Sequence, residues 1–434
     1  MGLGSFGGGL GVVRYLHACG LCVTVSDLRS ADQLAGTLDR LANLDRVVLR
    51  LGEHREIDFT DTDLIVVNPA VRLGHPLIEQ ARSRGICITS EIGLFWERCR
   101  GRIAAVTGTN GKSTTTKLLH HLLQTDGRRA WLGGNIGGSL LPDVDRIGRD
   151  DWVVLELSSF QLAALDELQV SPEVAIVTNF APNHLDWHET IDAYRAAKQT
   201  ILRWQRAADL AVLNATGGVS AWETRGRRLL FRVEELPRGW HAGGHSPLRG
   251  AHQQENAAAA VTAARSMGVS EAAVRTGLET FVGLPHRLQL VGIREGRRCY
   301  DDSASTTPES TLAALASFEE PVVLLAGGAD KGVDLSMLAD GIVTSARAAV
   351  LLGAVAPTLH DLIESRLPTT PTETRRLRRV TIAQSLGEAV EQALDVSEPG
   401  DVVLLSPGCA SYGWFDNYVE RGLAFTELVR SEAV

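Results

Sequence analysis

The sequence predicts a protein of three α/β domains, each built on a largely parallel sheet. Three observations predict this class. The chain has 434 residues, enough for two to four domains. Short apolar segments typical of strands alternate with helix-like segments along most of the chain. Polar, glycine-rich loops follow several of the apolar segments, as ligand-binding loops follow the carboxyl ends of strands in parallel sheets.

The overall composition is that of an ordinary globular protein. Apolar residues make up 44% of the chain and charged residues 22%, which excludes a disordered chain and a collagen-like repeat. The formal net charge is −9, so we expect no nucleic-acid partner. No apolar run approaches the roughly 18–20 residues that cross a bilayer, and no leader peptide is recognisable. We therefore expect a cytoplasmic protein with no membrane partner.

The first domain is expected over residues 1–98. Leu21–Ser26, Val47–Leu51 and Asp63–Val67 have strand character, and Ala31–Leu44 and Pro76–Arg84 have helix character. This alternation indicates βαβ units, whose parallel strands direct the following loops toward one edge of the sheet.

The amino terminus carries a nucleotide-binding pattern. Gly2–Gly7 matches GxGxxG, and Asp27 follows Gly7 by 20 residues, the spacing at which dinucleotide-binding folds place an acid on a ribose hydroxyl. The strand that should precede this loop is missing, because Met1 directly precedes Gly2. The pattern leaves two interpretations open: a nicotinamide-dependent oxidoreductase, and a domain that binds a nucleotide-linked diphosphate.

The second domain, expected over residues 99–285, contains the strongest local signal. A short strand at Ile103–Val106 leads into Thr107–Thr114 (TGTNGKST), and a helix is predicted from Ser113. Backbone N–H groups and the helix dipole would then point at one spot, with Lys112 adding a positive charge. Val106 occupies the first glycine position of the general phosphate loop, so this loop is a shorter variant. We interpret it as a nucleoside triphosphate site.

Glu156 ends an apolar, strand-like segment that begins at Val153. A lone buried carboxylate is costly unless it is paired or binds a metal. This position favours a Mg²⁺ ligand facing the phosphate loop, and a structural ion pair is the alternative. Two weaker candidates follow: His184, just after a strand at Val174–Thr178, and Lys198, in a helix predicted over Thr190–Leu202, where a surface lysine is the ordinary interpretation.

The third domain is expected over residues 286–434. Its predicted strands and the polar loops at their carboxyl ends suggest a face for a small anionic ligand, with Lys331 as an anchor. The strands are Pro321–Ala326, Ala348–Leu352 and Asp401–Leu405, and the loops are Asp301–Thr307, Gly327–Gly332 and Ser406–Ser411. The basic run Arg375–Arg379 is interpreted as a solvated face.

Together these motifs resemble the Mur ligase superfamily, ATP-dependent enzymes that form amide bonds in cell-wall precursor synthesis. Glu156–Leu162 (ELSSFQL), Leu405–Phe415 and Glu420–Gly422 resemble its D-glutamate-adding branch. The resemblance covers nearly the whole chain. It implies a Rossmann-like N-terminal domain for a UDP-linked substrate, a central phosphate-loop ATPase domain and a Rossmann-like C-terminal domain for the amino acid. The implied enzyme is a monomeric carbon–nitrogen ligase that uses ATP and Mg²⁺ to join UDP-N-acetylmuramoyl-L-alanine and D-glutamate.

The resemblance also assigns roles to residues at matching positions. Substrate contacts are implied for Ser5, Phe6, Asp27, Arg29, Asn68, Asn135 and Ser158, and D-glutamate contacts for Thr306, Lys331, Ser411 and Tyr418. ATP contacts are implied for Gly108, Thr109, Asn110, Gly111, Lys112, Ser113 and Thr114, with Asn256, Arg287 and Asp302 at the base and ribose. Catalytic or metal roles are implied for Lys112, Ser113, Glu156, His184 and Lys198, the last as a carbamate formed with CO₂.

The chain departs from the family pattern at three places: the missing first strand, Ala304 where a lysine is common, and Gln253 where an asparagine is expected. Three other functions stay open at this point. The nearest is a sister Mur ligase or a ligase similar to folylpolyglutamate synthetase. A nicotinamide-dependent oxidoreductase and a pure ATPase switch are more distant.

Overall fold

The computed structural model describes residues 1–4, 7–72, 74–243 and 246–431, without the side chains of residues 185 and 186. The chain forms two compact units. The first comprises Met1–Arg238 and Glu255–Leu278, and the second Gly239–Gln254 and Glu279–Val434. No helix in these described ranges is long and apolar enough to cross a membrane. Parallel sheets flanked by helices confirm the predicted α/β class.

The amino-terminal part of the first unit has two small parallel sheets. One pairs β1 with β2 and the other pairs β3 with β4. The strands are β1 (Val23–Asp27), β2 (Val47–Leu51), β3 (Leu64–Val67) and β4 (Cys87–Ser90). The helices are α1 (Gly8–Ala18), α2 (Ala31–Leu38), α3 (Ile57–Thr60), α4 (Pro76–Ser83) and α5 (Glu91–Arg98).

The first three residues lie between these two sheets. The Gly2 N–H donates to Ser26 O of β1 at 2.7 Å. On the other side, the Met1 amino group donates to Val66 O at 2.9 Å, and the Asn68 N–H donates to Met1 O at 3.0 Å. These hydrogen bonds join β1 and β3 through the first residues of the chain, so the carboxyl ends of the two strands lie at one edge.

The rest of the first unit surrounds a six-stranded parallel sheet of order β10-β9-β8-β5-β7-β6. Its inner strands are continuous apolar runs because helices cover both faces. The strands are β5 (Arg102–Thr107), β6 (Ala130–Gly134), β7 (Trp152–Glu156), β8 (Val174–Val177), β9 (Leu210–Asn214) and β10 (Arg227–Phe231). The helices are α6 (Lys112–Thr125), α7 (Ser159–Glu167), α8 (Leu185–His188), α9 (Ile191–Arg203), α10 (Ala251–Ser266) and α11 (Glu271–Thr280), with 3₁₀ turns at Leu141–Arg146, Val219–Ala221 and Val233–Glu235.

Strand β5 lies between β7 and β8 in this sheet. Because all three strands are parallel, the segments that follow them emerge at the same edge. This topology brings the phosphate loop, Glu156 and the segment before His184 to one side of the sheet.

The second unit has a six-stranded sheet of order β11-β12-β16-β13-β14-β15, in which only the pair β11–β12 is antiparallel. Apolar clusters cover both faces. The strands are β11 (Gln289–Arg294), β12 (Arg297–Asp301), β13 (Val322–Gly327), β14 (Ala348–Leu352), β15 (Arg379–Ile382) and β16 (Val402–Leu405). The helices are α12 (Pro308–Leu315), α13 (Ser336–Ser345), α14 (Ala356–Arg366), α15 (Leu386–Val396) and α16 (Tyr418–Arg430).

Candidate active site

The phosphate loop between β5 and α6 needs glycine at two positions. Gly108 and Gly111 have φ angles of 151° and 81°, which L side chains rarely adopt. A Cβ atom on Gly108 would lie 1.9 Å from Thr178 Oγ1, and one on Gly111 would lie 2.0 Å from Asn256 Oδ1. The backbone of the loop therefore packs so closely against Thr178, just after β8, and against Asn256 of α10 that no side chain larger than that of glycine fits.

The segment after β8 fixes the shape of this loop. The Thr109 hydroxyl donates to Ala181 O at 3.0 Å, and the Asn110 N–H donates to Asn179 Oδ1 at 2.8 Å. The Thr178 hydroxyl donates to Asn110 O at 2.6 Å. In the described structure no side chain caps the amino terminus of α6, so its first N–H groups are available to an anion.

Two lysines converge on the same loop. The Lys112 ammonium donates to Thr109 O at 2.8 Å, and Lys198 Nζ donates to Gly108 O at 2.6 Å. Lys198 is only 2% exposed, so the surface interpretation of this residue is wrong. Burial, with a smaller contribution from the charge of Lys112, lowers the pKa of Lys198 to about 6, although Glu156 acts in the opposite direction.

Glu156 ends β7 with a buried carboxylate, 1% exposed. Its Oε1 accepts from Asn135 Nδ2 at 2.7 Å. Its Oε2 is buried and has no hydrogen-bond partner in the described part of the chain, and no ion pair forms there either. No group of three or more His, Cys, Asp and Glu side chains that could bind a metal occurs among the described residues. The carboxylate therefore keeps one oxygen available for a ligand.

An aromatic cluster on α7 and α8 adjoins this region. Phe160 packs against His184, with ring centroids 5.2 Å apart, and against Trp187 at 4.9 Å. It also stacks on His188, whose Nε2 lies 2.8 Å from the Ser159 hydroxyl. His184 itself is exposed and has a φ of 52°. Sequence analysis named the Glu156–Leu162 segment, which contains Phe160, and it named His184, but it gave no role to Phe160, Trp187 or His188.

At the carboxyl end of β1, Asp27 and Arg29 form a bidentate ion pair, in which Arg29 Nη2 lies 2.9 Å from Asp27 Oδ2. Asp27 also accepts from the Leu3 N–H at 2.8 Å. Burial raises the pKa of Asp27, but hydrogen bonds from Arg29 and Leu3 outweigh it and hold the pKa at about 2. Asp27 thus anchors the glycine loop and orients Arg29. Ser5 and Phe6 lie outside the described residues.

A small cleft with a volume of about 30 Å³ opens beside Asn68. Residues from the β3 and β4 edges form one wall, and residues of α7 and α8 form the other. The lining comprises Val67, Asn68, Pro69, Val71, Ile88, Thr89, Ser90, Phe160, Ala164, Glu167, Leu168 and Trp187. Ser158 caps α7 next to this cleft, accepting from the Gln161 N–H at 3.2 Å.

In the second unit, the strands β12, β16 and β13 are neighbours, and the three polar loops follow them. The Ala329 N–H donates to Ala410 O at 2.9 Å and joins two of the loops. Lys331 is exposed, with its ammonium 4.8 Å from the centre of the Tyr412 ring. Thr306 is half-buried, Ser411 is 6% exposed, and Tyr418 is 41% exposed at the start of α16.

The residues implied for the ATP base and ribose fall in both units: Asn256 lies against the phosphate loop, and Arg287 and Asp302 belong to the second unit. Asp302 lies inside its unit, where it accepts from the Leu288 N–H at 3.1 Å and from the Ser406 hydroxyl at 2.7 Å. Burial raises its pKa to about 6. Asp302 therefore fixes the segment that carries Arg287.

Two buried residues to which the sequence analysis gave no role of their own, His286 and Arg421, support the polar loops of the second unit. His286 Nδ1 lies 2.7 Å from Asp301 Oδ2, and a Cβ on Gly422 would lie 2.2 Å from His286 Nδ1. Arg421 is 1% exposed and donates to Ser303 O at 2.9 Å and to Cys409 O at 3.3 Å. Both contacts involve the Glu420–Gly422 segment that the sequence analysis named. Arg421 joins two polar loops, and Gly422 leaves room for the His286 ring.

Comparison with protein families gives three matches that together cover most of the chain. Residues 1–90 match the N-terminal domain of MurD-like Mur ligases, residues 106–229 match the Mur ligase middle domain, and residues 286–409 match the Mur ligase glutamate ligase domain. The three matches support the prediction of three domains.

Full-length relatives are similar along the whole chain. The UDP-N-acetylmuramoylalanine–D-glutamate ligase of Roseiflexus sp. (strain RS-1) is 39% identical over 99% of this chain and 97% of its own length. The enzyme of the same name from Symbiobacterium thermophilum is 39% identical over 97% of this chain and 95% of its own.

Solved structures have the same fold. UDP-N-acetylmuramate-alanine ligase MurC of Thermotoga maritima has a TM-score of 0.62 at 21% identity, over 99% of this chain and 98% of its own. MurF ligase of the same organism, in complex with ADP, has a TM-score of 0.57 at 17% identity, over 85% of this chain and 94% of its own. The full-length identities are high enough to go beyond the fold, and the chain belongs to the UDP-N-acetylmuramoylalanine–D-glutamate ligase family of the Mur ligases.

Proposed function

We propose that the chain is an ATP-dependent carbon–nitrogen ligase that adds D-glutamate to UDP-N-acetylmuramoyl-L-alanine in peptidoglycan precursor synthesis. One observation carries this proposal: a phosphate loop, a buried carboxylate with an unused oxygen and a buried lysine meet at one edge of a sheet. This arrangement occurs in a chain of the D-glutamate ligase family. No observation favours an oxidoreductase, because Asp27 is engaged by Leu3 and Arg29.

The phosphate loop is suited to the phosphates of ATP. The uncapped amino terminus of α6 offers N–H donors, and Lys112 contributes a mobile positive charge. Both stabilise the negative charge that spreads over the transferring phosphoryl group in the transition state. Fixed donors in a protein site do this more strongly than water does. Asn256 packs against Gly111 and would lie beside the bound nucleotide.

The residues present also fit a magnesium ion. Mg²⁺ binds through one or two carboxylates and substrate phosphates, so it does not need a preformed cluster of acids. Glu156 Oε2 is an orphaned oxygen, and we propose Ser113 and His184 as further contributors at this edge. When bound, the ion neutralises phosphate charge. The Asn135 amide, which donates to Glu156 Oε1 at 2.7 Å, would fix the position of the Glu156 carboxylate.

Lys198 has the properties required for carbamate formation. The reaction needs a neutral amine, which adds to the carbon of CO₂ and releases one proton, giving R–NH–COO⁻. With a pKa lowered to about 6 by burial, the amine is mostly neutral at pH 7. The product would place a negative group beside Gly108 O and Thr107 Oγ1, so the side chain must shift or exchange partners. We therefore propose carbamylated Lys198 as a second anionic contact for the ion.

The reaction then proceeds in two steps. The alanine carboxylate of the UDP substrate attacks the γ-phosphorus of ATP, the bond to the β-phosphate oxygen breaks, and ADP leaves. The neutral amine of D-glutamate attacks the acyl carbon of the resulting acyl phosphate. Inorganic phosphate leaves and the amide nitrogen loses a proton. Holding both reactants in place supplies about 7–11 kcal/mol of barrier reduction, which is the main task of the binding residues.

Binding roles follow from the two edges described above. We propose that Ser5, Phe6, Asp27, Arg29, Asn68, Asn135 and Ser158 bind the UDP-linked substrate, with Asp27 acting through Arg29. In the second unit, Lys331 and Tyr418 are exposed and Thr306 and Ser411 line the same edge, so we propose that they bind D-glutamate. An ammonium and hydroxyls suit its two carboxylates.

We further propose domain boundaries at 1–98, 99–285 and 286–434, and a monomer that works in the cytoplasm, where ATP and UDP-linked precursors are made. Because the net charge is −9, nucleic acid is not proposed as a partner. Size-exclusion chromatography with light scattering tests the monomer, and a mass near twice 46.7 kDa contradicts it.

The decisive experiment measures phosphate release from ATP in the presence of UDP-N-acetylmuramoyl-L-alanine and one amino acid at a time. We expect release with D-glutamate and none with L-alanine, L-glutamate, L-lysine or diaminopimelate. Release with a different amino acid instead would move the chain to a sister reaction. No release with any of them would contradict the proposed ligase activity.

A further inference from the structure

A basic groove lies at the edge of the second unit where β13, β14 and β15 begin. It is open to solvent and has a volume of about 960 Å³. Five of its lining residues are arginines and two are glutamates: Arg347, Arg375, Arg376, Arg378, Arg379, Glu319 and Glu364. Lys331 and Ser411 follow the carboxyl ends of the strands, so this groove is at the opposite edge of the sheet from the proposed D-glutamate site.

The backbone of the arginine run is held in place. The N–H groups of Arg376 and Leu377 donate to Val343 O at 3.0 and 3.1 Å, and the Arg378 N–H donates to Arg347 O at 2.9 Å. Leu377 is 6% exposed and packs into the apolar core of the unit. The run is therefore a fixed part of the surface, with exposed arginines on both sides of a buried leucine.

Within the described ranges, three of the four arginines in this run lack an acidic partner, and the fourth, Arg378, acts on Glu398. Arg347 pairs with Asp401 at 3.0 Å and with Glu398. By contrast, the side chains of Arg375, Arg376 and Arg379 make no ion pair or hydrogen bond among the residues that the structure describes. Four arginines within five residues repel one another, and carboxylates brought by another molecule would relieve that repulsion.

The neighbouring strand offers a second kind of contact. Strand β15 is the last strand of its sheet. The Arg378 N–H points toward β14, so the alternation of an extended backbone directs the next N–H, that of Arg379, to the open side. An extended segment can add to such an edge through main-chain hydrogen bonds while its side chains meet the arginines.

We propose that this groove binds an extended acidic segment of a partner protein. Two half-buried apolar side chains, Leu367 and Val380, line the groove beside the arginines and suit a chain in which acidic and small apolar residues alternate. A uniformly charged phosphodiester chain would instead meet Glu319 and Glu364 in a protein of net charge −9. The proposal is independent of the ligase activity.

Fluorescence anisotropy with a fluorescein-labelled decapeptide of alternating Glu and Ala tests the proposal. We expect saturable binding to the full chain that weakens as salt is raised from 50 to 300 mM. The double variant Arg376→Glu/Arg378→Glu should bind at least tenfold more weakly, and Arg376→Gln/Arg378→Gln should fall between it and the unchanged chain.

The matched control is Arg225→Glu/Arg227→Glu, which changes the charge equally at the start of β10, another sheet-edge strand. It should bind the peptide like the unchanged chain. All variants should keep their D-glutamate-dependent phosphate release and their melting temperature, which separates this proposal from the ligase proposal. Equal peptide binding by the Arg376/Arg378 variants and the unchanged chain overturns the proposal, as does a ten-nucleotide dT oligomer that binds as tightly as the peptide.

Discussion

Lys198 is buried beside the phosphate loop, and the charge of its amine decides what chemistry it can perform. Its ammonium form is opposed first by burial and then by Lys112, so folding favours the neutral amine. Sequence reasoning could place Glu156, because a carboxylate at the end of an apolar strand is visible in the sequence. The local pattern indicated only a surface lysine at Lys198, and the family resemblance alone assigned it to the site, because its burial depends on how α9 packs against β5 and Gly108. The tertiary contact, and not the local pattern, removes this lysine from solvent.

The lowered pKa predicts when Lys198 reacts with CO₂. The pKa falls from 10.5 to about 6, so the unfolded chain binds more protons than the folded chain between these values. The buried lysine therefore costs folding stability in full below about pH 6, and this cost fades as pH rises toward 10.5. We expect a carbamate resonance in ¹³C NMR with ¹³C-bicarbonate above about pH 6 that disappears at lower pH. It should be absent in Lys198→Ala.

The same variant gives a functional readout. Lys198→Ala should lose activity and regain part of it when a short-chain carboxylic acid is added, because the acid can restore the missing negative group. A variant that keeps full activity without additive, or an unchanged chain without a carbamate resonance at pH 8, contradicts the proposed role. Lys117 is a control, since its variant should leave the resonance in place.

At the scale of elements, glycines decide where helices approach the site. Existence and type of most elements were predictable from alternating apolar and polar segments, and Val47–Leu51 and Ala348–Leu352 match residue for residue. Helix ends were less predictable. The segment expected as a helix over Ala31–Leu44 ends at Leu38, and the chain continues in turns that still bury Leu41 in the same apolar cluster as Leu34. The close contacts of Gly111 and Gly422 likewise depend on distant residues.

Two glycines flank helix α6. Gly111 directly precedes the helix and Gly127 follows it, and their φ angles are nearly equal at 81° and 77°. A Cβ on Gly111 would collide with Asn256, whereas nothing lies within 4 Å of one on Gly127. Gly111→Ala should therefore lower kcat/KM for ATP at least about 100-fold, the cost of displacing a preorganised phosphate-binding loop. Gly127→Ala should cost only about 1 kcal/mol of unfolding free energy and leave ATP kinetics unchanged. ATP saturation curves and urea unfolding distinguish the two; equal kinetics would contradict the loop geometry.

Gly422 in α16 provides a stability test in the second unit. Its Cβ would lie 2.6 Å from Asp301 Oδ2 as well as against His286. Gly422→Ala should destabilise by about 1–3 kcal/mol, as overpacking does. Gly387→Ala in α15 meets nothing closer than 3.8 Å and should be neutral or stabilising by up to about 1 kcal/mol. Urea denaturation measures both, and a Gly422→Ala protein as stable as the unchanged chain would contradict the close packing of α16 on this pair.

For the molecule as a whole, average properties and local surfaces differ. The net charge of −9 correctly describes an acidic protein, yet one edge of the second unit presents five arginines. The sequence showed the basic run but gave no reason to see a groove, because Arg347 reaches it from the turn before β14. In the same way, three-domain organisation followed from three sets of motifs, whereas the central position of residues 1–3 depended on hydrogen bonds to two separate strands.

If each domain binds one substrate, a variant in each should impair one substrate selectively. Lys112→Ala should lower turnover at least about 100-fold, since it removes charge stabilisation of the transferring phosphoryl group, while calorimetric binding of UDP-N-acetylmuramoyl-L-alanine stays nearly intact. Arg29→Ala should raise KM for that substrate and leave KM for ATP unchanged. Lys331→Ala should raise KM for D-glutamate alone, because the exposed ammonium belongs to the second unit. Equal loss of UDP-substrate binding and turnover in Lys112→Ala would contradict the assignment of separate binding domains.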